Sequence, residues 1–266
     1  RLDAEPLDRQ SLAILERVLG PDHAELIEPL NNLAANFSGQ RRIAEALPIY
    51  ERALAIAEKT HGPKHEVVAE VLRNLGMATN DVFDDPAGHE KAWTMMQRVL
   101  AIRTEAHGSD DASVTETMED LVIILEKQDR DAEAEAMLRQ ILAIEQRTGR
   151  KSGVIGGLLH LAQFLSVRGR NEEALELAEQ YHSLDEANLR THRGSAQLGR
   201  LALAESQSNL GTFYFESGRF DEAAALQERA VATTERSQGP NSSRLAAKLH
   251  NLASAYFALG RLEEAE

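Results

Sequence analysis

Apolar residues along the chain recur with the period of an α-helix. Ile43, Ala46, Leu47, Tyr50, Ala53, Leu54 and Ala57 fall at i, i+3, i+4, i+7, i+10, i+11 and i+14, one stripe on a helix. Ile27, Leu30, Leu33, Ala34 and Phe37 make a second helical stripe just before it. Ser38-Gly39-Gln40 supplies a turn between the two, and Gly62-Pro63 stops the second helix. The unit is a helix hairpin. Neither helix can bury its stripe alone, so neighbouring hairpins must stack.

The same unit returns along the chain. Gly20-Pro21-Asp22-His23 recurs 42 residues later as Gly62-Pro63-Lys64-His65, and a degraded form follows at Gly108-Ser109-Asp110-Asp111. Leu12-Ala13-Ile14 returns at Leu54, Leu100 and Leu142, and Asn32-Leu33-Ala34 at Asn74, Asp120, His160, Asn209 and Asn251. Gly169-Arg170, Gly218-Arg219 and Gly260-Arg261 each precede a Glu-Ala pair by the same distance. The spacing predicts one array over 1–266, with full repeats at 24–65, 66–111, 112–151, 152–194 and 195–241. Partial repeats flank them at 1–23, a second helix only, and at 242–266. The expected fold is all-α, a right-handed superhelical solenoid of antiparallel helix hairpins with a concave and a convex face. Small residues at Ala34, Gly76, Ala162 and Gly211, facing Ala46, Ala92, Ala174 and Ala223, let the two backbones of a hairpin approach closely.

These positions resemble the tetratricopeptide repeat, in the long 42-residue form of kinesin light chains and of many bacterial multidomain proteins. The family's pattern of Leu, small, aromatic, then small, aromatic, small falls on Leu33, Ala34, Phe37, Ala46, Tyr50 and Ala53. Later repeats give Leu75, Gly76, Thr79, Ala92, Met96 and Val99, and Leu210, Gly211, Tyr214, Ala223, Gln227 and Ala230. Thr79 and Gln227 depart from the pattern. So do two insertions, within 80–88 and around 184–203, which should project from the solenoid.

Composition narrows the functional classes. With 29 Lys+Arg against 43 Asp+Glu the net charge is −14, which argues against nucleic acid as a partner. No cysteine is present, so a disulfide scaffold and a thiolate metal site are excluded. No apolar run approaches the roughly 18 to 20 residues of a membrane span, and Arg1-Leu2-Asp3-Ala4-Glu5 is not a signal pattern. The expected compartment is the cytoplasm, although a cysteine-free solenoid suits the periplasm equally.

Motifs of enzyme chemistry fail one by one. His65-Glu66 and His89-Glu90 begin like a zinc-protease helix, but the required downstream His is missing from both. His61 and His65 are separated by Gly62-Pro63, so no helix can bring their rings to one metal. Gly149-Arg150-Lys151-Ser152 lacks the upstream glycine and strand of a phosphate loop. Asp81, Asp84 and Asp85 do not have calcium-loop spacing and read better as caps beside Pro86. The chain is expected to be no enzyme and to need no cofactor and no metal.

The resemblance implies that the first helices of successive hairpins line a groove, with the residue before the Leu-small pair pointing into it. That ladder reads Asn32, Asn74, Asp120, His160, Asn209 and Asn251. A carboxamide offers a donor and an acceptor to an extended peptide; alternatively these side chains cap or bridge neighbouring helices. Beside them stand Arg73 and the carboxylates Glu70, Glu116 and Glu119. An acidic groove favours a basic or neutral peptide and argues against clamping an acidic C-terminus. Phe215 and Phe257 lie outside the packing signature and are candidates for gripping a ligand side chain. The expected function is a protein-interaction scaffold that holds a peptide segment of a partner. One alternative is a regulatory or docking arm of a larger enzyme, such as a caspase-like protease, kinase or cyclase; another is a self-stacking structural solenoid. Both ends read as incomplete repeats of a longer array, with apolar faces open to end-to-end self-association.

Overall fold

The computed structural model describes residues 4–82, 86–191 and 196–265. Among them the elements are helices: α1 (Ala4–Leu19), α2 (Ile27–Gly39), α3 (Ile43–His61), α4 (Glu66–Val82), α5 (Pro86–His107), α6 (Ala112–Lys127) and α7 (Asp131–Thr148). They continue as α8 (Lys151–Val167), α9 (Asn171–Thr191), α10 (Ala196–Glu216), α11 (Phe220–Gln238), α12 (Ser243–Ala258) and α13 (Leu262–Ala265), with one 3-10 turn at Ala24–Leu26. The fold is an all-α array of helix hairpins.

The chain forms two compact units, Arg1–Ile141 and Leu142–Glu266. In the first, α2 pairs with α3 and α4 with α5, while α3 packs on α4 and α5 on α6. The first helices also touch, α2 with α4 and α4 with α6. In the second unit α8 pairs with α9, α10 with α11 and α12 with α13, and α9 packs on α10. The core lies along each stack. Leu30, Ile56, Leu72, Met96, Val99 and Leu121 belong to one continuous cluster in the first unit. Ala34, Ala46, Ala92, Ala134, Ala174 and Ala223 are fully buried, as close approach of paired helices requires. Thr79, at an aromatic position of the signature, is buried with its hydroxyl on the Leu75 carbonyl at 2.7 Å. Gln227 is buried as well: its Oε1 accepts from Ser208 Oγ and its Nε2 donates to the Ser208 carbonyl, both at 2.9 Å.

Two kinds of turn recur. Between hairpins, a glycine at positive φ ends one helix, as at Gly20 (φ 93°) and Gly62 (φ 86°). Three residues on, a side chain caps the next helix. His23 Nδ1 accepts from the Glu25 N–H at 3.3 Å, His65 Nδ1 from Val67 at 3.2 Å, and Asp111 Oδ1 from Ser113 at 2.9 Å.

Within hairpins, the residue after a left-handed position is an arginine whose Nε donates to the glutamate three residues on. Arg42–Glu45, Arg130–Glu133 and Arg170–Glu173 do so at 2.7 Å, Arg219–Glu222 at 3.0 Å and Arg261–Glu264 at 2.9 Å. Four of these guanidinium groups also lie over an aromatic ring, Arg42 on Phe37, Arg130 on Trp93, Arg219 on Tyr214 and Arg261 on Tyr256.

Residues 83–85 and 192–195 of the two insertions lie outside the described residues; the described part of both is helix. The hairpin of α4 and α5 has helices of 17 and 22 residues against 13 and 19 in α2 and α3. Gly88 and His89 are buried in it, with His89 Nδ1 and Asn80 Oδ1 2.9 Å apart. α9 and α10 run to 21 residues each. Of the aspartates considered as a calcium cluster, Asp81 is 3.3 Å from Lys127 Nζ, and Asp84 and Asp85 lie outside the described residues.

Candidate functional site

The ladder on the first helices has its own chemistry. Neighbouring first helices are offset so that a ladder residue meets the residue one step earlier on the preceding hairpin. Asn74 Nδ2 donates to Asn31 Oδ1 at 3.0 Å, and Asn251 Nδ2 to Ser208 Oγ at 3.5 Å. Arg73 on α4 donates to Asp120 on α6 through Nε and, at 3.1 Å, through Nη2 to Oδ1. A further tie joins α10 and α12, where the buried Lys248 ammonium is 2.8 Å from Glu205 Oε2. Asn74, Asp120 and Asn251 thus bridge adjacent first helices. Asn209 Nδ2 donates to the Tyr181 hydroxyl at 3.4 Å, His160 is half-buried, and Asn32 is exposed.

Charge collects beside this ladder in the first unit. Asp120 is buried, while Glu70, Glu116 and Glu119 are exposed on α4 and α6. The Asp120 hydrogen bond holds the Arg73 guanidinium more firmly charged than usual, against the opposing effect of its burial, and the fields of Glu116 and Glu119 add to it. One cation sits among four carboxylates, so the face remains negative. Further towards α2 the carboxylates continue around a crevice of about 760 Å3 between α2 and the start of α4, lined by Glu25, Glu28, Asn32, His61 and Glu70 among others.

The His61 and His65 rings stand 4.8 Å apart between centroids, so the Gly62 turn, although it breaks the helix, still brings the two side chains together. Their Nδ1 atoms are used locally, His61 with Thr60 Oγ1 at 2.7 Å and His65 in its capping bond. Among the described residues no group of three or more His, Cys, Asp or Glu side chains is arranged to hold a metal ion.

The two extra phenylalanines differ. Phe257 is 70% exposed. Phe215 is half-buried, packed against the cluster of Leu252 and Tyr256 with its ring 5.3 Å from Phe220. Tyr256, a signature position, is buried with its hydroxyl on Glu228 Oε1 at 2.7 Å.

Two features escaped the sequence reading. One is the identity of the ladder's partners: bridging of neighbouring helices was one of the two expectations, but the residues bridged leave only the trace of a polar residue before the ladder position at Asn31, Arg73 and Ser208. The other is a partly buried cluster between the long helices α9 and α10, where His182 Nδ1 and Ser206 Oγ are 2.8 Å apart and Asp185 also bonds Ser206. Burial lowers the His182 pKa and raises that of Asp185.

Tetratricopeptide repeat models match residues 2–59, 30–80 and 202–266, and a second model of the same description matches 156–180. No curated protein matches the chain. Among solved structures, a putative kinesin light chain with nearly identical TPR-like repeats from Podosopora anserina is 23% identical, with TM-score 0.66 over 82% of this chain and 99% of that one. BtubC (BKLC) from P. vanneervenii is 17% identical, with TM-score 0.69 over 91% of this chain and 92% of its own. NprR in complex with its cognate peptide NprX is 15% identical, with TM-score 0.50 over 99% of this chain and 73% of its own. With family models over more than half of its residues, the chain belongs to the tetratricopeptide repeat family.

Proposed function

We propose that the chain is a non-enzymatic protein-interaction scaffold, and that the face formed by α2, α4 and α6 holds a basic or neutral peptide segment of a partner. One observation carries the reading: Glu28, Glu70, Glu116 and Glu119 stand exposed on consecutive first helices, Glu25 on the turn just before α2, and Arg73 is already committed to Asp120. A positively charged segment lying across these helices meets carboxylates along its length, which favours encounter and register more than raw affinity. Asn32, with exposed donor and acceptor, suits the backbone of such a segment. Peptide binding is compatible with this architecture, since NprR is described in complex with its cognate peptide.

The test is a peptide array probed with the purified chain. Basic peptides are expected to be retained over acidic ones of equal length, and a preference for acidic peptides would overturn the charge argument. A Glu116→Lys, Glu119→Lys double variant is expected to weaken the retained peptides by tenfold or so, as two reversed contacts at about 0.5–1 kcal/mol each would give. Its helical content and melting should stay close to those of the parent, because both side chains are exposed.

A further inference from the structure

In the second unit a pocket of about 260 Å3 opens between α10 and α12. Its floor is made by Gly211, Ala223 and Ala255, its side by Phe215, and its polar groups by Thr212, Asn251, Ser254, Gln227 and Glu216. The volume falls below the roughly 300–1,000 Å3 of sites that enclose a whole small molecule, so one long side chain is the unit it fits. Gly211 leaves room for the Gln227 amide beside it: a Cβ there would stand 2.8 Å from Gln227 Nε2.

The polar groups are largely spoken for. Gln227 is bound to Ser208 at both ends of its amide, and Asn251 Nδ2 turns to Ser208 Oγ. Ser254 Oγ donates to the His250 carbonyl at 2.9 Å and Thr212 Oγ1 to that of Ser208 at 3.1 Å. Each hydroxyl therefore keeps its lone pairs as acceptors. Glu216 is the one charged residue among those lining the pocket; its Oε2 accepts from Ser166 Oγ on α8. Acceptors, one carboxylate and an aromatic side wall make a receptor for a donor-only cation on an apolar stem.

We propose that this pocket takes the side chain of a lysine or arginine carried by the bound segment. The stem packs on Phe215, Ala223 and Ala255, and the cation meets Glu216 and the hydroxyl oxygens of Thr212 and Ser254. The proposal rests on the groove reading above in one respect, that a partner's segment is held on a face of first helices. It deepens that reading by assigning a residue type to one place on the second unit.

The pocket is tested with single-residue probes rather than with a partner. N-acetyl-arginine and N-acetyl-lysine methylamides are titrated into the labelled chain, and the amide and methyl signals of Gly211, Ala223 and Ala255 are followed by NMR. N-acetyl-norleucine methylamide serves as the uncharged match. Saturable shifts at these residues with the cationic probes, weakened about two- to fivefold in Glu216→Gln, are expected for loss of one exposed ion pair. The norleucine probe should bind as weakly to the parent as the cations do to that variant. Equal binding of norleucine and the cations, or cation shifts unaffected by Glu216→Gln, would overturn the assignment. Failure here with basic peptides still retained through Glu116 and Glu119 removes the pocket and leaves the groove reading standing. The converse result removes the groove reading and keeps the pocket.

Discussion

At the residue scale the intra-hairpin turn shows how one backbone demand is met by different side chains. Gly169, Gly218 and Gly260 take positive φ of 74–75°, and the equivalent positions in two other hairpins are Arg41 (φ 63°) and Asp129 (φ 56°). A left-handed residue with a Cβ costs roughly 1–2 kcal/mol, and aspartate offsets part of that through its short polar side chain. Replacing Arg41 by glycine removes the strain and adds back roughly 0.5–1 kcal/mol of unfolded-state entropy. The expected result for Arg41→Gly is a net gain of about 0.5 kcal/mol, read as a higher urea midpoint at unchanged slope. For Asp129→Gly the gain should be smaller. A lower midpoint for Arg41→Gly would mean that the turn carries no strain at that residue. The arginine that follows was visible in the sequence at 170, 219 and 261 only as part of a Gly-Arg spacing and at 42 and 130 not at all, because its partners are a glutamate one turn on and, in most hairpins, an aromatic ring on the helix before.

At the scale of the element, α8 offers two glycines three residues apart in opposite surroundings. A Cβ on Gly156 would meet nothing within 4 Å, whereas one on Gly153 would fall 1.9 Å from Glu145 Oε2. Glu145 is buried and bound by Arg150 through two hydrogen bonds of 2.8 and 2.9 Å, so it has little freedom to give way. Gly156→Ala is expected to stabilise by about 0.5–1 kcal/mol through helix propensity alone. Gly153→Ala should destabilise by roughly 1–3 kcal/mol by displacing the buried ion pair. Thermal melts of the two variants give the sign directly, and a shared sign would show that the Glu145 contact is not what Gly153 accommodates. The helices themselves were legible because a stripe such as Ile43 to Ala57 is set by residues within one element. The ladder was legible as a recurring position that either faces a ligand or bridges helices, but its particular ties were not, since Asn74–Asn31 and Arg73–Asp120 depend on the offset between hairpins. No local period encodes that offset. Gln227 shows the same limit: a polar side chain at a core position is explained only by Ser208 on the facing helix.

For the molecule as a whole, charge is the property that belongs to no single element. The −14 balance leaves carboxylates in excess of cations, and in a solenoid whose contacts run mainly between neighbours the excess is spread along the array. Two consequences of salt then have opposite signs. Raising NaCl from about 0.1 M to about 1 M shortens the screening length from about 10 Å to about 3 Å. Contact pairs such as Arg42–Glu45, at 2.7 Å, lie inside even the shorter length, and being exposed they contribute little to begin with. Repulsion between carboxylates on successive first helices acts over longer distances and is the larger loss. The melting temperature is therefore expected to rise with NaCl, while retention of a basic peptide on the α2, α4 and α6 face falls over the same range. Thermal melts and peptide titrations at the two concentrations separate the effects. Melting that fell with salt would put the contact pairs ahead of the net repulsion. Peptide binding that held constant would remove the exposed glutamates from the interface.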